Sequence, residues 1–188
     1  MGRVSQAQAR ENRERVVRTA SRLFREQGTH ISVADLMKAA GLTHGGFYKQ
    51  FASKGALIDE ATAHAFGELA HRRTAALDEQ RTGGRRENAQ QALIEAYLAV
   101  EHRDNPADGC PAAALAPDMA REQGSREAKR VYAEGVGDFA EFLDTEDQDG
   151  ITRLCTMLGA LVLARATKDS PLSDEILAAA RAALMDAG

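Results

Sequence analysis

Apolar residues recur along this chain at intervals of three and four, and nowhere alternate with period two for long enough to argue a sheet. The pattern predicts an all-α protein. Val16, Val17, Ala20, Leu23 and Phe24 keep to one stripe, and Gly28 supplies the stop. Ser32 stands just before Leu36, Met37 and Ala40, with Asp35 three positions on, so a hydroxyl can cap a helix that starts near Val33 while the carboxylate reaches back. Gly41 then ends that helix at positive φ, and Leu42 plugs the angle to the next one. Thr43 is placed to cap a short aromatic helix in which Phe47 and Phe51, four apart, share the buried face. Thr43, His44, Gly45, Tyr48 and Lys49 are left on the other faces.

Beyond this head the pattern predicts longer helices. One runs from Lys54 to about Gln80 and is broken by Thr82-Gly83-Gly84; a second runs from Glu87 to Val100 with Leu93, Ile94, Tyr97 and Leu98 on one face. A loop over 104–109, a short helix around Ala112 to Leu115 and a long one from Arg126 to Leu143 follow, the last with Ala128, Tyr132, Gly135, Phe139 and Leu143 in register. Near the C-terminus Leu154, Cys155, Leu158, Leu161, Val162 and Arg165 form a stripe beside the small residues Gly159, Ala160 and Ala164. A last helix opens at Leu172-Ser173-Asp174-Glu175 and carries Ile176, Leu177, Ala180 and Leu184. A head of about 50 residues is marginal alone, so a larger helical domain beside it is expected, with the boundary between 1–53 and 54–188.

Charge changes the picture. The 188-residue chain has a net charge of −4, yet residues 1–60 hold ten Lys or Arg against six Asp or Glu, and residues 61–188 hold fourteen against twenty-two. A basic end on an acidic remainder presents one face to phosphate and repels DNA elsewhere. Arg10, Arg13, Arg15, Arg18, Arg22 and Arg25 lie on the first helix, facing either a partner or the local acids through pairs such as Glu11 with Arg15 and Glu14 with Arg18.

From about Arg13 to Leu57 the sequence resembles the N-terminal domain of the TetR family of bacterial transcriptional regulators. The resemblance is carried by Leu42-Thr43-His44-Gly45-Gly46-Phe47-Tyr48-Lys49-Gln50-Phe51, followed by Ser53-Lys54 and Leu57. It implies a three-helix helix-turn-helix head and a larger helical ligand-binding and dimerisation body, about nine helices in all. It further implies that Ser32, Thr43, Tyr48 and Lys54 hold DNA phosphates while His44, Gly45 and Lys49 lie at or near base edges. Gln50 departs from the family's usual histidine, and Gly55 stands where an acid usually follows Ser-Lys.

The residues themselves leave alternatives. Tyr48 offers its hydroxyl to a phosphate or is a half-buried core ring; Lys54 adds its ammonium to free helix amides or is an ordinary exposed lysine. Gly45-Gly46 allows a backbone to approach DNA closely.

The implied function is a repressor, not an enzyme, that binds a palindromic double-stranded operator as a homodimer and is released by a small-molecule effector. Candidates for the effector lining are Tyr97, His102, Cys110, Met119, Tyr132, Phe139, Met157 and Arg165, each of which also suits ordinary packing. The last two helices either close the monomer's core or pair with a second copy. The resemblance favours pairing, through Leu154, Leu158, Leu161, Val162, Ile176, Leu177 and Leu184.

Cys110 opens a second mechanism. In Asp108-Gly109-Cys110-Pro111 it sits where a helix begins, so free amides there could lower its pKa for redox or electrophile sensing; the bland fate is a small buried residue. Cys155, inside an apolar stripe, is read as packing. Cys110 with His102 and Asp104 also supplies the residue types of a nucleophile, base and orienter, which is the enzyme alternative. A helical module whose arginines face an acidic protein is the remaining one. The two cysteines have no metal-ligand spacing, and neither a metal nor a cofactor is expected. The polar residues 1–12 and the absence of an apolar run near the roughly 20 residues of a membrane span point to the cytoplasm.

Overall fold

A computed structural model of the chain describes residues 6–80, 86–121 and 126–185. Among the described residues it is all helix. The elements are α1 (Gln6–Gln27), α2 (Val33–Ala39), a 3-10 helix (His44–Lys49), α3 (Lys54–Gln80), α4 (Arg86–Tyr97), α5 (Val100–Asp104), α6 (Pro111–Arg121), α7 (Arg126–Leu143), α8 (Gly150–Ala166) and α9 (Leu172–Met185). The break expected at Thr82–Gly84 lies outside the described residues.

The turn between α2 and the 3-10 helix is built as the sequence demands. Ser32 Oγ accepts from the Asp35 amide at 3.1 Å, and the Asp35 carboxylate takes the Ser32 hydroxyl at 2.6 Å. At the other end Gly41 has φ +69°, the Gly41 amide donates to Lys38 O and the Leu42 amide to Met37 O, so the last carbonyls of α2 find donors. Gly28 ends α1 the same way at φ +84°.

Three expected elements differ. The segment after Thr43 is a six-residue 3-10 helix, and Thr43 makes no side-chain cap bond. Two glycines in six residues lower α-helical propensity, and the tighter form suits short runs. The helix expected from Glu87 to Val100 stops at Tyr97, and α5 restarts at Val100 with Ala99 extended before it. The expected short helix at 112–115 continues through Pro117 to Arg121, because Met119 beyond the proline is drawn into a core.

Two apolar clusters hold the molecule. One gathers Val16, Ala20, Phe24, Leu36, Met37, Phe47 and Phe51 of the head with Leu57, Ile58 and Ala61 of α3, and is closed by Leu115 and Met119 of α6 and Ala128 of α7. The other fills the body from α3, α4 and α6 to α9. α3 packs on α1 at one end and on α7, and belongs to both. In the body Gly135 lets Phe66 lie against α7: an added Cβ would come within 2.2 Å of that ring.

Candidate nucleic-acid interface and a cavity in the body

Phe47 and Phe51 are 0% and 3% exposed, and their rings stack at 5.4 Å between centroids. Burying both aromatic faces on one side fixes which side of the 3-10 helix faces water. Thr43, His44, Gly45, Tyr48 and Lys49 are all exposed, as is Ser32 at the start of α2. Tyr48 is 67% exposed and stands edge-on to both Phe47 and His44, which excludes the core-ring alternative. Lys54 is half-buried at the first residue of α3, whose start is capped by Ser53 Oγ accepting from the Ala56 amide. Gly45 has open space around it, whereas Gly46 backs onto Met37 of α2. The Gln50 side-chain amide oxygen, Oε1, is buried without a partner, so the acceptor that would pair with adenine is turned inward.

Arg13 is the support the sequence did not disclose. Its guanidinium lies over the Phe51 ring at 4.4 Å, donates to Gln50 O at 2.7 Å and pairs with Glu60 of α3 at 2.5 Å. One planar group thereby ties the exit of the 3-10 helix to α1 and α3. Its partners are 37 and 47 residues away along the chain, and no local spacing signals them. The other arginines of α1 depart from the expected local pairs too. Arg10 pairs with Glu14, Arg22 with Asp108, and Arg25 with Glu68, while neither Glu11 with Arg15 nor Glu14 with Arg18 forms.

The body holds a cavity of about 380 Å³ between α3, α4 and the loop before α6, lined by Leu69, Arg72, Arg73, Ala89, Ala92, Leu93, Ala96, Tyr97, His102, Asp108, Gly109, Cys110 and Phe142. Of the expected lining residues, Tyr97, His102 and Cys110 reach it. Phe139 and Met157 are fully buried in the body core, Met119 plugs the head cluster, and Tyr132 bridges the clusters with its hydroxyl on Ala112 O. Arg165 instead donates to His102 O and Arg103 O, holding α5 onto α8. Arg72, Arg73 and Phe142 line the cavity without having been anticipated.

The loop at the cavity rim is bonded to the head. Arg25, its side chain 1% exposed, donates to Gly109 O at 3.2 Å and pairs with Glu68 at 2.9 Å. Arg22 pairs with Asp108, Arg72 donates to Asp108 O at 3.0 Å, and the Thr29 amide donates to Asp118 of α6 at 2.8 Å.

Of the two readings of Cys110, its burial favours the bland one. The thiol sits at the start of α6, and the amides of Ala113 and Ala112 do favour its thiolate, but removal from water dominates and pushes its pKa up. A raised pKa opposes reactivity. Nor do His102 and Asp104 assemble with it: His102 Nε2 accepts the Cys110 backbone amide, its Nδ1 lies 2.7 Å from Tyr97 O, and Asp104 is engaged by Arg103 and Lys168. Cys155, read as packing, is the exposed thiol.

Most of the residues expected at a dimer interface are buried within the monomer. Leu154, Leu161, Leu177 and Leu184 are buried in the monomer's own core, with Leu158 and Ile176 half-buried against it; Val162 alone of the set stands out, 45% exposed. The outward face of α8 is instead Ile151, Cys155, Gly159, Val162 and Leu163. α8 is apolar on most of its circumference, so periodicity alone could not fix which side turns inward.

An exposed, basic, aromatic-anchored segment after a helix and a tight turn defines a helix-turn-helix DNA-binding protein. The family model described as "Bacterial regulatory proteins, tetR family" matches residues 16–61. An HTH-type transcriptional regulator of Mycobacterium tuberculosis, itself uncharacterised, is 30% identical over 173 residues, covering 84% of this chain and 86% of that protein. The chain belongs to the TetR family of bacterial transcriptional regulators. Its fold is shared by reduced NemR of E. coli (20% identity, TM-score 0.77, covering 94% of this chain and 96% of that one). It is shared also by AibR in complex with isovaleryl coenzyme A and operator DNA (15% identity, TM-score 0.64, covering 94% and 100%).

Proposed function

We propose that this regulator is a repressor that binds a palindromic operator as a homodimer and lets go when a small molecule enters the body cavity. The observation that carries the reading is the rim loop: the residues that close the cavity, Asp108 to Cys110, are those that Arg22 and Arg25 of α1 hold. A ligand that displaces the rim therefore pulls on the helix bracing the DNA-reading segment. Such a switch requires the ligand to favour one arrangement, since equal affinity for both shifts nothing. AibR, by its description, takes both an acyl coenzyme A and operator DNA, which supports a two-site reading here.

In this reading Ser32, Thr43, Tyr48 and Lys54 hold phosphates, and His44, Gly45 and Lys49 meet base edges. The head and body divide near residue 53, and the protein acts in the cytoplasm, without catalysis. Dimerisation proceeds through the outward face of α8, with the small exposed residues Ala178, Ala179 and Ala182 of α9 beside it. Two heads then address successive major grooves about 34 to 36 Å apart.

Duplexes selected from a random pool by the purified protein give the operator. Tyr48→Ala and Lys54→Ala should then weaken binding to every sequence, and Lys49→Ala should change preference among them. Unchanged affinity in all three at moderate salt removes the assignment of the head. A flat response of affinity to salt would favour an acidic protein partner instead.

A further inference from the structure

The cavity carries an uncompensated cation. Arg73 of α3 is 8% exposed, and its Nη1 is buried without a hydrogen-bond partner. Among the described residues the guanidinium is covered by aromatic faces, 5.2 Å from the Phe139 ring centroid and 5.8 Å from that of Phe142. Arginine stays protonated, and a buried charge without an ionic partner is costly, so the site favours anything that brings a negative charge to it. The acids nearby do not serve. Asp138 attracts Arg73 without forming an ion pair, and Asp108 at the rim is already taken by Arg22.

The other polar groups in the cavity point the same way. The Tyr97 hydroxyl is buried with the weakly bonding Cys110 thiol beside it and no oxygen or nitrogen partner among the described residues. His102 is occupied on both nitrogens, and burial keeps it neutral by lowering its pKa. The remaining wall is Leu69, Ala89, Ala92, Leu93, Ala96 and Phe142, which is apolar, with Arg72 at the rim donating to Asp108 O. About 380 Å³ is at the small end of ligand sites. A wall of that composition around the Arg73 guanidinium, the one of the two lining arginines without a hydrogen bond among the described residues, and one hydroxyl matches a small apolar body ending in a planar anion.

Resting on the reading of this cavity as the effector site, we infer that the effector is a small hydrophobic carboxylate, of the medium-chain or aromatic acid class, whose carboxylate pairs with Arg73 and accepts from Tyr97.

The test uses the full-length protein and displacement of a fluorescent apolar dye from the body, with octanoate and 4-phenylbutyrate as probes against octanol and 4-phenylbutanol. The acids should bind at least tenfold more tightly than the alcohols and should raise the melting temperature. Arg73→Gln should abolish that tenfold preference, and Arg73→Lys should restore part of it. Arg73→Gln is expected to fold at least as stably as the parent, since it removes a buried unpaired charge. Its own melting curve would show that it does.

Alcohols that bind as well as the acids and release the operator would overturn the inference while leaving the cavity as the effector site. Neither class displacing the dye up to millimolar concentration would overturn both. Acids preferred equally by parent and Arg73→Gln would place the anion elsewhere and sink the role of Arg73.

Discussion

Arg13→Ala separates positioning from contact in DNA binding. In the structure this side chain makes three interactions at once: a ring face at 4.4 Å, a carbonyl at 2.7 Å and a carboxylate at 2.5 Å. Both charged partners are about two-fifths exposed, so water screens the ion pair to about 0.5 kcal/mol. The charged donor on Gln50 O contributes about 1.5 kcal/mol, and the guanidinium over Phe51 about 0.5–1 kcal/mol. Because one group makes all three, the loss on truncation is about 2–3 kcal/mol, a substantial part of a stability of 5–15 kcal/mol for a typical domain. If the freed 3-10 helix loses its order, the competent fraction falls and operator affinity drops by about tenfold to a hundredfold. Fluorescence anisotropy on the operator across a salt series, with urea melts alongside, measures both. A residue that acts by holding the recognition segment leaves the slope of log affinity against log salt unchanged, whereas a phosphate ligand reduces it by about 1. Arg13→Lys should fall between, since an ammonium cannot serve a carbonyl and a carboxylate with one planar fork. Affinity within threefold of the parent despite a lost urea midpoint, or a reduced salt slope, would refute the reasoning.

Three further outcomes follow from single positions. Gly67 lies mid-helix in α3 with nothing within 4 Å of an added Cβ, so Gly67→Ala should stabilise by about 1 kcal/mol in chemical melts. Gly150 is the opposite case: its Cβ would lie 2.0 Å from Ala140 O, a backbone atom that cannot move aside, and Gly150→Ala should cost about 3 kcal/mol or more and lower the soluble yield. Burial lowers the pKa of His102 below its ordinary 6.5, so the native state stays neutral where the unfolded chain takes up a proton. Its stabilising contribution is present above 6.5 and lost as pH falls toward the lower native value; urea midpoints at pH 7.5 and 5.5 should show a smaller acid loss in His102→Gln than in the parent.

The start of α3 and the end of α7 were legible because α3 opens at the polar Ser53-Lys54 and α7 carries apolar residues at three- and four-residue spacing up to Leu143. The exposed face of the 3-10 helix was legible for a related reason, since two buried phenylalanines four apart dictate what their neighbours expose. The rest depended on contacts distant in sequence. Nothing around Ala99 marks the break between α4 and α5, and nothing around Arg73 tells that Phe139 and Phe142 will cover it. Cys110 shows the limit of a local reading: its setting at a helix start left a reactive thiol and a small buried residue both open, and its depth decides between them. Which side of α8 turns inward was hard to read because an almost uniformly apolar helix carries little directional information.

Leu115, Met119 and Ala128 reach from the body into the apolar cluster of the head. A chimera that joined residues 1–53 to another regulator's body would therefore leave a hole where those side chains stand. Exchanging operator specificity between relatives by transplanting heads needs those plugs carried along with the graft, or matched on the recipient. Conversely, a substitution that enlarges Ala128 presses on α3 from outside the DNA-binding segment and gives an engineer a handle on operator affinity from the far side of the molecule.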